Sequence, residues 1–211
     1  MDLPSTLTAI PSNCFYYCSN LRHIDIPSGV KILNGSAFRY SGLSSINLPS
    51  ALTSITGNYT FGNCTSLKSI DIPDSVKTIA NYSFYYDSAL TSIDLPSSLT
   101  SLTAYVLQGC YNLGEITIPS SVTNIGTYAL AGCYRLSVIN ALRSTAPSVA
   151  STYAFGYSAS TNQYSGYTGY STRGSNRLNV PSGATGYSTG AWSSPLQNAS
   201  YCGFTLVEGG V

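Results

Sequence analysis

Few side chains in this sequence could do chemistry, and those few recur at regular spacing. His23 is the only histidine among 211 residues. A nucleophilic dyad or triad would need it beside a nucleophile and an orienting carboxylate, and Asp25 and Ser45 are the neighbours its register offers. On a strand's outer face, without a cleft to exclude water, the same histidine reads as a solvated surface residue. Six cysteines invite a disulfide or metal reading. Cys18, Cys64, Cys110 and Cys133 share one sequence column, whose other members are Ser41, Asp87 and Ser158, while Cys14 falls in a column with Ala37, Thr60, Ser83 and Ala129. Columns that accept Ser, Ala or Asp describe small thiols packed between turns, so the cysteines are expected to be mostly reduced. Cys110 and Cys133 stand one repeat apart, and their pairing is the alternative. Zinc at Cys14 and Cys18 lacks a second ligand pair. With no phosphate-cradling glycine loop and no zincin motif, no catalytic residue, metal or cofactor is assigned, and the chain reads as a non-enzyme.

The columns exist because the chain repeats itself. Leu21, Leu43, Leu67, Leu90, Leu113 and Leu136 open similar segments spaced 22, 24, 23, 23 and 23 residues apart. The shared pattern is L-x-x-I-x-[IL]-P-x-x-[VL]-x-x-[IL], then a turn, then [FL]-x-x-[CSD]. L-x-x-I-x-I puts three apolar side chains on one face of a short strand, which the proline ends. A second short extended piece, such as Val122 to Ile125, turns another apolar face inward, and the Phe or Leu fills the middle. One repeat cannot bury these faces alone, whereas stacked copies bury them against each other. Parallel strands ~4.8 Å apart would make about six turns into a rod roughly 30 Å long. No segment holds a 3.6-residue apolar period for three turns, so helix content should be low.

The motif I-x-I-P-x-x-V-x-x-I-x-x-x-A-F-x-x-C resembles the BspA-type leucine-rich repeats of bacterial surface proteins, over residues 1–155. Leu107 and Leu130 stand in place of its Phe, and Ser41 and Asp87 in place of its Cys. The resemblance implies a leucine-rich-repeat solenoid, mainly β, a right-handed superhelix of parallel strands with short helical or 3-10 turns and a C-terminal cap. It also implies a secreted or cell-surface setting and adhesion to a host, matrix or other cell-surface protein.

Composition shifts after Phe155. Gly156 to Asn176 is rich in Gly, Ser, Thr and Tyr without apolar period and reads as a long loop. In the segment 177–208, Leu178 and Val180 before Pro181 look like a strand, Tyr187 and Trp192 like aromatic cover, and Phe204 to Val207 like a last strand. The order L-x-V-P, Tyr, Trp is similar to the end of BspA-type arrays, so residues 156–211 are taken as loop plus capping segment. A stack without a cap would leave apolar surface and strand edges bare. The first residues enter directly into a repeat, and residue 1 reads as a cut in a longer protein.

Two ladders are the candidate binding features. Between the apolar positions of each strand, side chains point away from the core. One such column reads Asp2, Asp25, Asn47, Asp71, Asp94, Thr117 and Asn140; its neighbour reads His23, Ser45, Ser69, Ser92 and Glu115. These form either a solvated strand face or a polar recognition strip on the inner, concave sheet, the usual binding side of curved solenoids. The second ladder stands two residues before the Phe or Leu: Tyr59, Tyr82, Tyr105, Tyr128 and Tyr153. Another column two residues after it holds Tyr17, Tyr40, Tyr86 and Tyr157. Stacked tyrosines either cover the outside of the solenoid or stack on sugar rings, since tyrosine offers large contact area at small entropic cost. The partner is therefore a protein or, alternatively, a glycan; a pure spacer would bind neither.

Composition closes other classes. Only 8% of residues are charged and the net charge is +1, which leaves no electrostatic footprint for nucleic acid and no basic helix for a membrane surface. No run of 18 apolar residues spans a bilayer.

Overall fold

The computed structural model describes residues 2–150, 152–155, 176–188, 192 and 204–211. The loop expected over 156–176 lies outside the described residues except for Asn176, which opens a strand. Tyr157, Ser158 and Cys202 also lie outside them.

Each repeat builds one turn of a parallel-strand β-solenoid of about six turns with almost no helix. The first sheet collects the L-x-x-I-x-I segments: β2 (His23–Asp25), β4 (Ser45–Asn47), β6 (Ser69–Asp71), β8 (Ser92–Asp94), β10 (Glu115–Ile118) and β12 (Val138–Ala141), then β14 (Asn176–Val180) and β15 (Phe204–Glu208). All its pairings are parallel: β2 with β4, β6 with β8, and β10 through β12 and β14 to β15. The second sheet collects the short pieces after the prolines: β1 (Ala9–Ile10), β3 (Ile32–Leu33), β5 (Ser54–Ile55), β7 (Thr78–Ile79), β9 (Ser101–Leu102), β11 (Asn124–Ile125) and β13 (Ser148–Val149). A 3-10 turn covers Thr152–Ala154.

The proline makes the corner between the sheets. Its carbonyl accepts the N–H three residues on, as from Val30 to Pro27, Val76 to Pro73 and Val122 to Pro119, at 2.9–3.0 Å. The serines of P-x-S-[VL] tie this corner to the turn before it: Ser75, Ser98 and Ser121 donate to the carbonyls of Leu52, Val76 and Leu99.

The third side of each turn is the loop around the Phe or Leu. Phe15, Phe38, Phe61 and Phe84 are buried and stack at 5.1–5.4 Å with planes within 8° of parallel, a spine that Leu107 and Leu130 continue. Alternate N–H groups of this loop run along the solenoid axis: Asn13, Phe15 and Tyr17 donate to Gly35, Ala37 and Arg39. Such alternation requires left-handed backbone at the positions two before and two after the Phe. Every non-glycine residue with positive φ among those described sits there: Asn13, Ser36, Tyr59, Tyr82, Tyr105 and Tyr128 before, Tyr17, Tyr40, Asn63 and Tyr86 after, all at +55 to +63°. Gly109 and Gly132 complete the second column.

Thiols fill the space behind the spine. Cys64, Cys110 and Cys133 are free and buried, and each donates its S–H to a spine carbonyl of the turn before it, Phe38, Phe84 and Leu107, at 3.1–3.3 Å. The alternative Cys110–Cys133 bond is therefore not formed. Cys14, unlike the rest of its column, is exposed. At the far end, Tyr187 and Trp192 are buried against each other, with Trp192 also on Phe155. Their polar ends are satisfied: the Tyr187 hydroxyl donates to Arg143 and the Trp192 indole to Pro147.

Candidate functional site

The residues of the polar strip lie where period-two alternation puts them. In β2, β4, β6 and β8 the central Ile is buried and both flanking side chains are exposed, and β10 continues the pattern. His23, Asp25, Ser45, Asn47, Ser69, Asp71, Ser92, Asp94, Glu115 and Thr117 thus share one solvent-facing surface. Parallel pairing sets them side by side: His23 with Ser45, Asp25 with Asn47, Ser69 with Ser92, and Asp71 with Asp94.

At the β2–β4 end the strip is internally hydrogen-bonded. Asn47 donates to Asp25 at 2.6 Å, and the His23 ring bridges Asp25 at 3.1 Å and Ser45 at 2.9 Å. The Asn47 amide, and after it His23, hold the Asp25 carboxyl below the usual carboxylate range. Ser45, His23 and Asp25 thus make a hydrogen-bonded trio of the residue types a triad uses. It stands on an open sheet, with the Asp25 side chain 74% exposed. The N–H groups of Ser44 and Ser45, which would have to receive an oxyanion, already donate to the Arg22 carbonyl. These two N–H groups are thus not left pointing at solvent as preorganised oxyanion donors would be.

The β6–β10 stretch differs. Asp71 and Asp94 face each other across paired strands, an arrangement of like charges that destabilises a sheet. Among the described residues neither meets a Lys or Arg within ion-pair distance; the one ion pair found is His23 with Asp25. A depression of about 510 Å³ opens beside them, lined by Ser92, Asp94, Glu115, Thr117 and Val138 among others. Toward the C-terminal end the strip closes on itself again: Asn140 donates to Glu115 and Asn179 to Asn140. Sequence columns did not foretell which carboxylates would be tied down.

The tyrosine ladder is also real, but its geometry changes what it offers. Tyr59, Tyr82, Tyr105, Tyr128 and Tyr153 stack successively at 4.5, 4.6, 5.1 and 5.5 Å. Each of the three inner rings therefore has both faces against neighbouring rings. For those three rings edges and hydroxyls remain for a ligand, while flat faces for a sugar do not. Burial, and the neighbouring phenols after it, push the Tyr82 and Tyr128 hydroxyls up from the ordinary phenol value. The first ring of the ladder is covered by Arg39, whose guanidinium carbon lies 4.1 Å from the Tyr59 ring centre. Ser36 holds the ladder position one turn earlier and supplies no ring. Sequence reading did not single out Arg39, because its column (Tyr16, Arg39, Gly62, Tyr85, Gln108) shows no pattern.

The fold and its polar strip define a class, the leucine-rich-repeat solenoid. The chain belongs to the BspA-type leucine-rich-repeat family: six copies of the "BspA type Leucine rich repeat region" match over residues 1–58 and 43–162. No curated protein matches it in sequence. Among solved structures, the chain is similar to the leucine-rich-repeat protein of T. pallidum, at 27% identity and a TM-score of 0.50, covering 64% of this chain and 76% of that one. It shares its fold with a leucine-rich-repeat protein from Bacteroides ovatus, at 24% identity and a TM-score of 0.56, covering 86% of this chain and 49% of that one. A third, from Eubacterium ventriosum, has 20% identity and a TM-score of 0.54, covering 67% and 45%. The chain thus spans about half the length of the latter two. No helix among the described residues is long and apolar enough to cross a membrane.

Proposed function

We propose that the chain is a non-catalytic binding module displayed on a cell surface or secreted, and that a protein on a host cell, matrix or neighbouring cell docks on the polar strip of the first sheet. The observation that carries this reading is the open face from β2 to β10, whose ten outward side chains are exposed and in register. A partner lying across it touches several turns at once. Polar contacts of this kind contribute about 1 kcal/mol or less each, so affinity has to come from their number. Family membership supports a surface setting.

The test is a combined change of Asp25, Asn47, Asp71 and Asp94 to Ser, measured against intact cells and immobilised matrix proteins. Binding should fall by far more than any single change produces, without a fall in Tm, because these side chains face solvent and the change also relieves the Asp71–Asp94 apposition. Full binding by a variant that melts like the parent would move the site elsewhere.

A further inference from the structure

Arg39 is the cation that the fold lays over aromatic rings instead of giving it a counter-charge. Among the described residues no carboxylate lies within ion-pair distance of it. Its guanidinium is held between rings, 4.1 Å from the centre of Tyr59 and 4.9 Å from that of Tyr40. Stacking of this kind fixes the plane of the group and uses none of its five N–H donors. One of them reaches the Tyr40 hydroxyl, at 3.4 Å, and the buried Nε has no acceptor. A half-dehydrated cation with unused donors gains from meeting an anion.

Beside it stands the most exposed aromatic surface among the described residues, Tyr17 at 60% and Tyr16 at 40%. These rings are already fixed. Tyr17 stacks on Tyr40 at 4.5 Å, and Tyr16 lies edge-on to both, at 4.8 and 5.9 Å. Rings immobilised before binding lose little entropy when a ligand arrives. Tyr17 and Tyr40 are presented from left-handed backbone, so the chain carries strain at the positions that set these rings outward.

We propose that Arg39 with Tyr16, Tyr17 and Tyr40 forms a binding site for an acidic saccharide. The guanidinium takes a carboxylate or sulfate group through its Nη donors, and the exposed tyrosines take the apolar face of an adjacent sugar ring. The site is separate from the polar strip, whose carboxylates repel such a ligand; it adjoins the tyrosine ladder at Tyr59, on which Arg39 rests, and uses none of the ladder's covered inner faces.

The experiment titrates the whole chain by calorimetry with five probes: oligogalacturonate, a sulfated oligosaccharide, a neutral oligosaccharide of equal length, inorganic sulfate and a polyglutamate peptide. At least one acidic saccharide should bind, and the two arms tell carboxylate from sulfate. Arg39→Gln should weaken it about tenfold or more by removing a charge-assisted contact, and Arg39→Lys should recover only part, because the planar fork is lost. Tyr16→Ser should weaken the saccharide and leave sulfate unchanged. Chemical shifts of Tyr16, Tyr17 and Tyr40 should move on titration, a readout that does not depend on any variant folding. Equal binding of the neutral sugar, or of sulfate alone, or of polyglutamate would overturn the proposal, as would no saccharide binding to the parent. Loss of protein binding by the strip variant would leave this site untouched, so the two readings fail separately.

Discussion

Asp87 occupies the column that elsewhere holds Cys64, Cys110 and Cys133, and it is fully buried. One carboxyl oxygen accepts the Cys64 N–H at 2.8 Å; the other has no partner. Burial pushes its pKa well above the ordinary carboxylate range, and the backbone N–H groups of Cys64 and Asn63 offset only part of that. Replacing Asp87 with Cys would give this turn what its neighbours have, a thiol positioned to donate to the preceding spine carbonyl, here Phe61. An unmet buried polar group costs about 1–3 kcal/mol, so Asp87→Cys should stabilise the chain by about that much at neutral pH. In a chain of this size each kcal/mol moves Tm by ~2–4 °C, so a rise of about 2–12 °C is expected. The pH dependence has a definite sign. A carboxyl whose folded-state pKa is raised gives its full stability below the unfolded value, near pH 4, and loses it as pH rises through the folded value. The advantage of the cysteine variant should therefore be smallest near pH 3 and grow as pH rises above 4. Melts of parent and variant by circular dichroism from pH 3 to 8 measure the difference, and subtraction removes the other carboxylates. A variant that melts lower than the parent at pH 7, or whose advantage shrinks with rising pH, would refute this account of the column.

Tyr82 sits at φ +61° between two stacked rings. Tyr82→Ala keeps the left-handed backbone while losing both stacks, so it should be less stable than Tyr82→Gly by about 1 kcal/mol; equal denaturant midpoints would show that the backbone there is not strained. Removing residues 177–211 takes away β14, β15 and the Tyr187–Trp192 pair, baring the β12 edge and Phe155, and should produce aggregation. Sedimentation of the truncated chain checks this, and a soluble monomer with a cooperative melt would count against the tail as a cap.

The repeat made the architecture legible because apolar spacing reports burial directly. Leu, Ile and Pro columns gave the two sheets and the corner, and alternation about Ile24, Ile46, Ile70 and Ile93 put the polar strip on the solvent side. Burial does not report backbone handedness in the same way. Tyrosine is not a residue that announces positive φ, so seven left-handed tyrosines among the described residues stayed hidden behind what looked like an aromatic pattern. The signal was nevertheless present. In the column after the Phe, Tyr17, Tyr40 and Tyr86 exchange with Asn63, Gly109 and Gly132, and Asn and Gly are the residues that tolerate this backbone. A column shared by Tyr, Asn and Gly is a left-handed column in which the ring adds something glycine cannot.

That addition differs between the two ladders, and the difference bears on function. Before the Phe, five consecutive rings cover each other, and stacked pairs worth about 0.5–1.5 kcal/mol each are enough to offset the local strain. The tyrosines are then explained by stability alone. After the Phe the run is broken: Tyr40 is followed by Asn63, and Tyr86 by Gly109. Tyr17 and Tyr40 share one parallel stack, with Tyr16 edge-on to both and Arg39 over Tyr40, and Tyr17 is still left largely in water. These contacts offset strain as the ladder does, but they leave the Tyr17 ring open to a ligand where the inner ladder rings are closed. Arg39, held over the Tyr40 and Tyr59 rings with N–H donors to spare, stands beside them, so open ring surface and an aromatic-held cation lie together at one place on the fold.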